Sequence, residues 1–203
     1  MKILEWARQV QAIAQSGLAY SENHYDRERY EQLQDLVSSI LSLELEISEV
    51  DAKKLWLQEE GYATPKVDVR GAVFLDDKIL LVRERADGKW TLPGGWADIN
   101  DSPSESVIRE IREESGFSTK AVKLAALYDR NRHAHPPMVY HVYKLFFICD
   151  IVSGAASVSH ETTGVEFFSS SNLPELSVAR VTQDQILRLF EHNKNREMPT
   201  DFD

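Results

Sequence analysis

Apolar side chains recur at helical intervals over the first sixty residues. One run places them three and four residues apart: Trp6, Val10, Ile13 and Ala14. Gly17 follows this run and is expected to end the first helix. A second run places them along one side: Tyr30, Leu33, Val37, Ile40 and Leu41. A third helix is expected to begin at Ser48, with Asp51 as its capping partner, and to carry Leu55 and Trp56.

Residues 1–62 are therefore expected to form a small all-α domain. This segment contains 6 basic and 12 acidic residues, so it carries −6 of the chain's net charge of −10. A helical segment of this size is not expected to be very stable alone. We expect it to pack on the rest of the chain or on a second copy.

Beyond a predicted linker that runs from Gly61 to Pro65, the pattern changes from helical to alternating. Strands are predicted at residues 67–74, 79–82, 122–128, 139–151 and 165–168, with a turn at Asp76-Asp77 and a last helix at residues 182–192. Because strands and helices mix without regular βαβ spacing, residues 66–203 are predicted to be an α+β domain.

Composition narrows the possible functions. Of the 203 residues, 42% are hydrophobic and 28% charged, as in ordinary globular proteins, and no apolar stretch is long enough for a membrane span. Cys149 is the only cysteine, so no internal disulfide can form, and we expect a reducing, cytoplasmic location. The net charge of −10 argues against a long nucleic acid as a partner. An anionic substrate would need another attraction, such as a bound metal.

The candidate chemistry lies between Gly94-Gly95 and Phe117. Ser102, Pro103 and Glu105 form a clear helix start, and Gly116 is placed to end the helix. Within it, three carboxylates share one face: Glu110, Glu113 and Glu114. Their mutual repulsion would be relieved by a hard divalent cation such as Mg²⁺ or Mn²⁺. The alternative is a solvated acidic helix face.

The spacing of the whole segment decides between these readings. It runs from Gly95 through Asp101 to Arg109-Glu110-Ile111-Arg112-Glu113-Glu114-Ser115-Gly116-Phe117. This resembles the signature box of Nudix hydrolases, except that Asp101 stands where the box has glutamate. The resemblance extends from about residue 66 to the C-terminus. It implies the Nudix fold, a mixed sheet sandwiched between helices, here preceded by the small helical domain.

The resemblance also implies roles for individual residues. Glu110 and Glu114 would be the principal ligands of Mg²⁺ or Mn²⁺, Glu113 would hold a second ion, and the Gly95 carbonyl would complete the metal shell. Arg109 would orient the glutamates. Asp101, one carbon shorter than glutamate, would reach the metal only through water. Glu161, on a predicted loop, is the candidate catalytic base, with Glu113 or Glu166 as alternatives. The implied reaction is hydrolysis of a nucleoside diphosphate linked to another group X, which yields a nucleoside monophosphate and phosphorylated X.

The box does not identify X. The loop at residues 129–137 is the main specificity candidate, or else an ordinary polar loop, and the proposed substrate contacts are Arg83, Arg85, Trp96, Arg130, Arg132, His133 and His135. The helical extension and this loop resemble a bacterial subgroup of CDP-choline and ADP-ribose pyrophosphatases. Arg132 lies sixteen residues past Gly116, where ADP-ribose enzymes carry a marker proline, so CDP-choline is favoured. In this subgroup the extension implies a homodimer. Alternatives are an ADP-ribose pyrophosphatase, an RNA-end hydrolase, and a nucleotide sensor that does not cleave; a sensor usually lacks box glutamates, which are present here.

Overall fold

A computed structural model describes residues 2–56 and 60–203 and divides them into two compact units. The first comprises residues up to 65 together with residues 137–141, and the second comprises residues 66–136 and 142–203. Met1, residues 57–59 and the side chains of Lys2 and Trp56 lie outside the described part, and with them part of the predicted third helical run. No helix within the described ranges combines the length and apolar character needed to cross a membrane.

The first unit is built from helices α1 (Lys2–Tyr20), α2 (His24–Leu45) and α3 (Glu49–Trp56). The prediction that Gly17 ends α1 is wrong, because the helix continues through it to Tyr20. A Cβ atom at Gly17 would lie 2.4 Å from the ring of Tyr30 on α2. The glycine therefore serves the close packing of two helices and does not break one. The predicted Ser48–Asp51 cap is confirmed: the Asp51 N–H donates to Ser48 Oγ at 3.1 Å.

The core of this unit contains one contribution from a distant part of the chain. Its buried residues are Leu4, Ala7, Val37, Leu41 and Ala52, and Val139 packs against them. Two hydrogen bonds hold the same segment: Arg8 donates to the Met138 carbonyl at 2.8 Å, and the Tyr140 hydroxyl donates to the Leu55 carbonyl at 3.1 Å. Residues 137–141 thus complete the helical core.

One side of α1 remains apolar and exposed. Its exposed members are Ile3, Trp6, Ile13 and Tyr20, of which Trp6 is 59% and Ile13 60% accessible. The predicted run is therefore divided between two faces of α1: Trp6 and Ile13 are exposed, whereas Ala14 is buried, as are Leu4 and Ala7. We call Ile3, Trp6, Ile13 and Tyr20 the α1 stripe.

The second unit is a mixed sheet with one long helix on each side. Its strands are β1 (Lys66–Leu75), β2 (Lys78–Glu84), β3 (Trp90–Thr91), β4 (Phe117–Asp129), β5 (Val142–Gly154), β6 (Thr162–Ser169) and β7 (Asp201–Phe202). In the described residues the spatial order is β3-β2-β1-β5-β4-β7, and β6 pairs with β2. The β1–β5 and β4–β7 pairs are parallel, and the others are antiparallel. The α+β class and the helix-covered mixed sheet are as predicted.

Helices α4 (Pro103–Ser115) and α5 (Gln183–Lys194) belong to separate core clusters. Val107 and Ile111 of α4 pack with β1 and β2 residues such as Val69 and Leu80. Ile186, Leu189 and Phe190 of α5 pack in the other cluster with residues of the same strands. Since both faces of β1 are covered, Asp68 and Arg70, which alternate with valines in the sequence, are buried as well.

One strand boundary and one additional strand differ from the prediction in an informative way. β5 begins at Val142 and not at residue 139, because residues 137–141 join the helical core. β7 was not predicted, since two residues carry no periodicity. It is held by Asp201, whose carboxylate accepts hydrogen bonds from Arg188, His192 and Tyr128. Hydrogen bonding from Arg188 is the main reason that the pKa of Asp201 lies well below its usual range.

Candidate active site

Local hydrogen bonds fix both ends of helix α4. Ser102 caps its N-terminus in a reciprocal capping box with Glu105, Pro103 occupies the first turn, and Gly116 ends the helix at φ 81°. These features confirm the predicted start and stop. A Cβ atom at Gly71 of β1 would lie 2.4 Å from Ile111, so glycine there lets α4 lie close against the sheet. The position of the acidic residues on α4 is therefore tightly determined.

Glu114 is the most buried carboxylate on this helix. The Gly94 N–H donates to its Oε2 at 2.9 Å, and the hydroxyl of Thr162 donates to its backbone carbonyl. Burial raises the pKa of Glu114 to about 7, although the charge of Arg70 opposes the shift. The negative charges of Glu84 and Glu110 raise it further. A bound cation would stabilise the ionised form of this group.

Arg109 connects most of the remaining acidic side chains. It donates to Glu110 Oε1 at 2.7 Å and to Asp101 Oδ2 at 3.2 Å, and it lies 2.8 Å from Asp98 and 3.5 Å from Glu113. Burial raises the pKa of Glu110, and Arg109 lowers it. Asp101, the residue that departs from the box, contacts this arginine. Its shorter side chain thus takes part in orienting Arg109.

The three glutamates of the predicted acidic face have unequal environments. Glu114 is buried and Glu110 is half-buried, whereas the Glu113 side chain is 60% exposed. Two carboxylates therefore point towards the sheet side, and one points to solvent. Glu110 and Glu114 therefore differ from Glu113 in their exposure to solvent, a difference that the sequence spacing does not show.

The glycine loop, which we define as residues 92–95, faces these carboxylates. Gly94 has φ +139°, and a Cβ atom there would lie 2.0 Å from the Val69 carbonyl. A Cβ atom at Gly95 would lie 3.2 Å from Glu110 Oε2. The Gly95 carbonyl accepts a hydrogen bond from the Val69 N–H at 2.8 Å. The backbone of the glycine loop thus lies close to both carboxylates, and at Gly94 there is no room for a side chain.

The donor set suits a hard divalent cation. Glu110, Glu114 and the Gly95 carbonyl offer only oxygen, which Mg²⁺ and Mn²⁺ prefer. Within residues 2–56 and 60–203, no three His, Cys, Asp or Glu side chains are arranged as a complete metal cluster. Glu110 is hydrogen-bonded to Arg109, and Glu114 is hydrogen-bonded to Gly94. A buried and a half-buried carboxylate, both with raised pKa values, are nevertheless the electrostatic environment that a cation would relieve.

Glu161 lies immediately before β6, opposite the end of β2. Its carbonyl accepts from the Arg85 N–H at 2.8 Å, and its carboxylate lies 3.1 Å from His160 Nε2. The Glu161 side chain is exposed. Burial is the main reason that the pKa of Glu84 is raised, and the negative charge of Glu161 adds to this shift. The structure thus places Glu161 within electrostatic range of Glu84, which in turn interacts with Glu114.

Arg83, Arg85 and Trp96 are exposed near the same loops. Arg83 donates to the Gly88 carbonyl at 2.7 Å, and Arg85 donates to the His160 carbonyl at 2.9 Å. Trp96 follows the glycine loop, and its backbone bridges to Asp68. Both arginines use one donor to hold neighbouring backbone, and all three side chains reach solvent.

The predicted specificity loop is held by contacts with the C-terminal part of the chain. Its first residues form a short 3₁₀ helix, Arg130–Arg132, in which Arg130 is buried and donates to the Ala179 carbonyl, while Arg132 is exposed. His133 stacks on Tyr128 with ring centroids 4.2 Å apart and lies 3.2 Å from Asp203. The loop is therefore an anchored segment that presents few of its predicted contact residues freely.

His135 is held in one protonation state by its neighbours. Its Nδ1 lies 2.7 Å from the Val178 carbonyl, so Nδ1 must carry the proton. Nε2 then accepts from the amide nitrogen of Gln185 at 3.0 Å, and the amide oxygen of Gln185 is fixed by the Thr182 N–H. Burial lowers the pKa of His135 to about 4.

Sequence reasoning missed two buried charge groups in this unit. Glu84 is buried and pairs with Arg180 at 3.0 Å. Asp68, Arg70 and Lys144 form an interior group on β1 and β5, in which both cations contact the Asp68 carboxylate. Charged residues two apart in a predicted strand, as Asp68 and Arg70 are, were the available signal.

Comparisons with known proteins agree with this arrangement. The family model described as NUDIX domain matches residues 65–190, and the model described as UDP-X-like, N-terminal oligomerisation domain matches residues 1–56. YjhB of Bacillus subtilis (strain 168), which bears the provisional name ADP-ribose pyrophosphatase, is 45% identical over 205 residues, which cover 100% of this chain and 97% of that protein.

Two solved structures resemble different extents of the chain. A UDP-X diphosphatase is 31% identical, with a TM-score of 0.65, and the match covers 100% of this chain and 98% of that one. An ADP-ribose pyrophosphatase from Streptococcus suis 89-1591 is 37% identical, with a TM-score of 0.64, over 69% of this chain and 100% of that one.

The contacts of His135 predict a pH dependence of stability. The unfolded chain takes up a proton near pH 6.5, whereas the folded chain resists protonation down to about pH 4. Stability should therefore be fully present above pH 6.5 and should be lost as the pH falls towards 4. Between urea unfolding at pH 7.5 and at pH 4.5, the wild type should lose roughly 1–3 kcal/mol more than His135→Gln. His24→Gln, at an exposed histidine, is the control. An unchanged pH slope in His135→Gln would contradict the assignment.

Proposed function

The chain belongs to the Nudix family of hydrolases, which act on pyrophosphate bonds, and from this premise we propose that it cleaves a nucleoside diphosphate linked to X in a reaction that depends on Mg²⁺ or Mn²⁺. The products are a nucleoside monophosphate and phosphorylated X. Nudix hydrolases generally depend on divalent metals. The observation that carries the proposal is the pair of carboxylates against the glycine loop, of which Glu114 is buried and Glu110 is half-buried.

The residues of the site are proposed to have separate roles in metal binding, orientation and proton transfer. A bound divalent cation supplies charge neutralisation at the pyrophosphate and lowers the pKa of water. Glu110, Glu114 and the Gly95 carbonyl are the residues proposed to hold it, with Glu113 available for a second ion. Arg109 orients Glu110 through its hydrogen bond, and the Gly94 N–H orients Glu114. Glu161 is proposed to accept the proton of the attacking water.

The substrate is proposed to be CDP-choline, with another pyrimidine diphosphate derivative as the nearest variant. The resemblance to a UDP-X diphosphatase covers the whole chain, including the helices, whereas the resemblance to the Streptococcus suis ADP-ribose pyrophosphatase covers 69% of it. Arg132 also occupies the position of the ADP-ribose marker proline. ADP-ribose is the second candidate, because YjhB, similar over its full length, bears that name.

The nucleobase and the group X of the substrate are proposed to contact the exposed side chains around the glycine loop. Trp96 offers a ring for stacking on a base. Arg83, Arg85 and Arg132 are exposed and offer positive charge to phosphate groups. Arg130, His133 and His135 are held by neighbouring groups, and we propose that they shape the loop rather than reach far into solvent.

A second copy of the chain is the proposed partner of the α1 stripe. Ile3, Trp6, Ile13 and Tyr20 lie on exposed positions of one helix, and the described residues of that stripe carry no charge. The segment as a whole is acidic, so the uncharged stripe is where two copies can meet with the least repulsion. The match of residues 1–56 to an oligomerisation domain supports an assembly, and we propose a homodimer with a self-complementary interface.

A substrate panel tests the reaction. CDP-choline, UDP-glucose, ADP-ribose and short 5′-capped RNA are incubated with Mg²⁺ or Mn²⁺, and products are identified by mass. We expect CMP and phosphocholine, and no products after chelation of the metal. Glu114→Gln should lower kcat at least about 100-fold, because it removes the charge that holds the cation, whereas the exposed Glu197→Gln should not. Turnover of no substrate would favour a nucleotide sensor, and near-normal rates in Glu114→Gln would contradict the metal assignment.

If Glu161 is the catalytic base, its substitution should affect kcat more than KM. Glu161→Gln should lower kcat roughly 100-fold or more, the usual scale for removal of a general base, with a smaller change in KM. Glu166→Gln, five residues further along the chain, tests the alternative base and should change kcat by less than about threefold if Glu161 is the base. A loss of less than about threefold in Glu161→Gln would place the base elsewhere, and Glu113→Gln would be measured next.

The proposed dimer predicts a change of mass when the α1 stripe becomes charged. Light scattering should give twice the chain mass for the wild type and the single-chain mass for Ile13→Glu, since each interface would bury two carboxylates without partners. Ala19→Glu adds the same charge to α1 at an exposed position about 120° around the helix from Ile13 and should remain dimeric. A monomeric wild type, or an unchanged mass in Ile13→Glu, would count against this interface.

A further inference from the structure

Three charged side chains lie together in the interior of the second unit. Arg70 donates to both oxygens of Asp68, at 2.7 and 3.1 Å, and the ammonium of Lys144 also contacts this carboxylate. Asp68, Arg70 and Lys144 are 4%, 5% and 2% exposed. Buried ionic groups of this kind are often no more stabilising than apolar residues of the same size. Their presence therefore calls for an explanation other than stability.

Arg70 reaches beyond this group to the glycine loop. Its Nη1 donates to the Leu92 carbonyl at 3.2 Å. The backbone on either side of Arg70 holds the same loop, because the Gly71 N–H donates to Pro93 at 2.9 Å and the Val69 N–H donates to Gly95 at 2.8 Å. Three consecutive residues of β1 thus fasten three residues of the loop, and the Arg70 side chain supplies the contact at Leu92.

The loop leads directly to Glu114. Gly94 is packed so closely that a Cβ atom there would lie 2.9 Å from the Arg70 Cα atom, and its N–H donates to Glu114. The guanidinium of Arg70 also attracts the charges of Glu114 and Glu84. Asp68 fixes the guanidinium through a two-pronged contact, which a lysine could not reproduce.

We propose that Arg70 is a positioning residue, which holds the glycine loop where the Gly94 N–H orients Glu114, and that Asp68 is buried to keep Arg70 in place. The importance of Glu114 for catalysis rests on the proposed function. The positioning itself is a property of the protein without substrate.

Lys144 provides the matched control. It contacts the same carboxylate and is equally buried, but its hydrogen bond goes to Asp68 and not to the loop. Arg70→Met leaves Asp68 paired with Lys144, and Lys144→Met leaves it paired with Arg70. Each variant therefore removes one buried cation and retains a partner for the carboxylate, so general effects on folding should be similar.

The first measurement is amide hydrogen exchange at Gly94 in the metal-free protein. Arg70→Met should raise the exchange rate of this amide at least about tenfold without changing that of Ile111 in α4, whereas Lys144→Met should change it less than about threefold. Arg70→Lys retains the charge but cannot contact Asp68 and Leu92 in the same way, so exchange at Gly94 should remain raised. Equal exchange at Gly94 in Arg70→Met and wild type would overturn the proposal.

The second measurement is steady-state kinetics on the substrate found by the panel. Arg70→Met should lower kcat roughly 10- to 100-fold, the scale for residues that orient a metal ligand, with KM within about threefold. Equal losses of kcat in Arg70→Met and Lys144→Met would show a purely structural group and overturn the proposal. Faster exchange at Gly94 together with failure of every substrate would instead contradict the proposed function alone.

If the single variants fail to fold, a triple variant keeps the inference testable. Asp68→Leu, Arg70→Met and Lys144→Met together replace the buried charges by apolar groups of similar size. We expect a Tm equal to or above that of the wild type, with exchange at Gly94 still raised. A lower Tm with normal exchange at Gly94 would assign the group to stability and overturn the proposal.

Discussion

Burial of the Glu114 carboxylate is the constraint on which the rest of the site depends. A carboxylate in such a place needs hydrogen-bond donors and positive charge, or it takes up a proton. The protein supplies one backbone N–H, from Gly94, and the more distant charge of Arg70. Gly94 can serve only because its φ of +139° and the absence of a Cβ atom bring its backbone against β1. The close approach of α4 to Gly71 fixes the helix that carries Glu114. Strand, loop and helix therefore have to be positioned together, and a small shift in any of them changes the environment of one carboxyl group.

The contacts of Arg109 show how the structure accommodates the departure from the Nudix signature at Asp101. Aspartate stands at position 101 where the signature has glutamate, and the structure uses it as a partner of Arg109 at 3.2 Å. The same guanidinium holds Glu110 and lies near Asp98. With several acidic neighbours, the arginine has its orientation determined even though each surface contact contributes little by itself.

Features that depend on neighbouring residues were the ones predictable from sequence. The ends of α4 follow from Ser102, Glu105 and Gly116, because each acts on backbone within four residues. Gly17 was misread because its role is set by Tyr30 on another helix. Asp68 and Arg70 alternate with valines in the sequence, and this pattern by itself does not reveal that core clusters cover both faces of β1. The anchoring of His133 by Asp203 joins residues 70 positions apart, and the spacing of the loop could not show it.

Residues 137–141 also determine the order in which the chain can assemble during its synthesis. Helices α1 to α3 leave the ribosome first, but their core still lacks Val139, and the Leu55 carbonyl still lacks the Tyr140 hydroxyl. At roughly 5–20 residues per second, translation reaches this segment several seconds after α3 is complete. By then β1 to β4 and α4 have been made as well. The core of the N-terminal helices can therefore be completed only after the middle of the second unit has been translated, and until then part of its apolar surface stays uncovered.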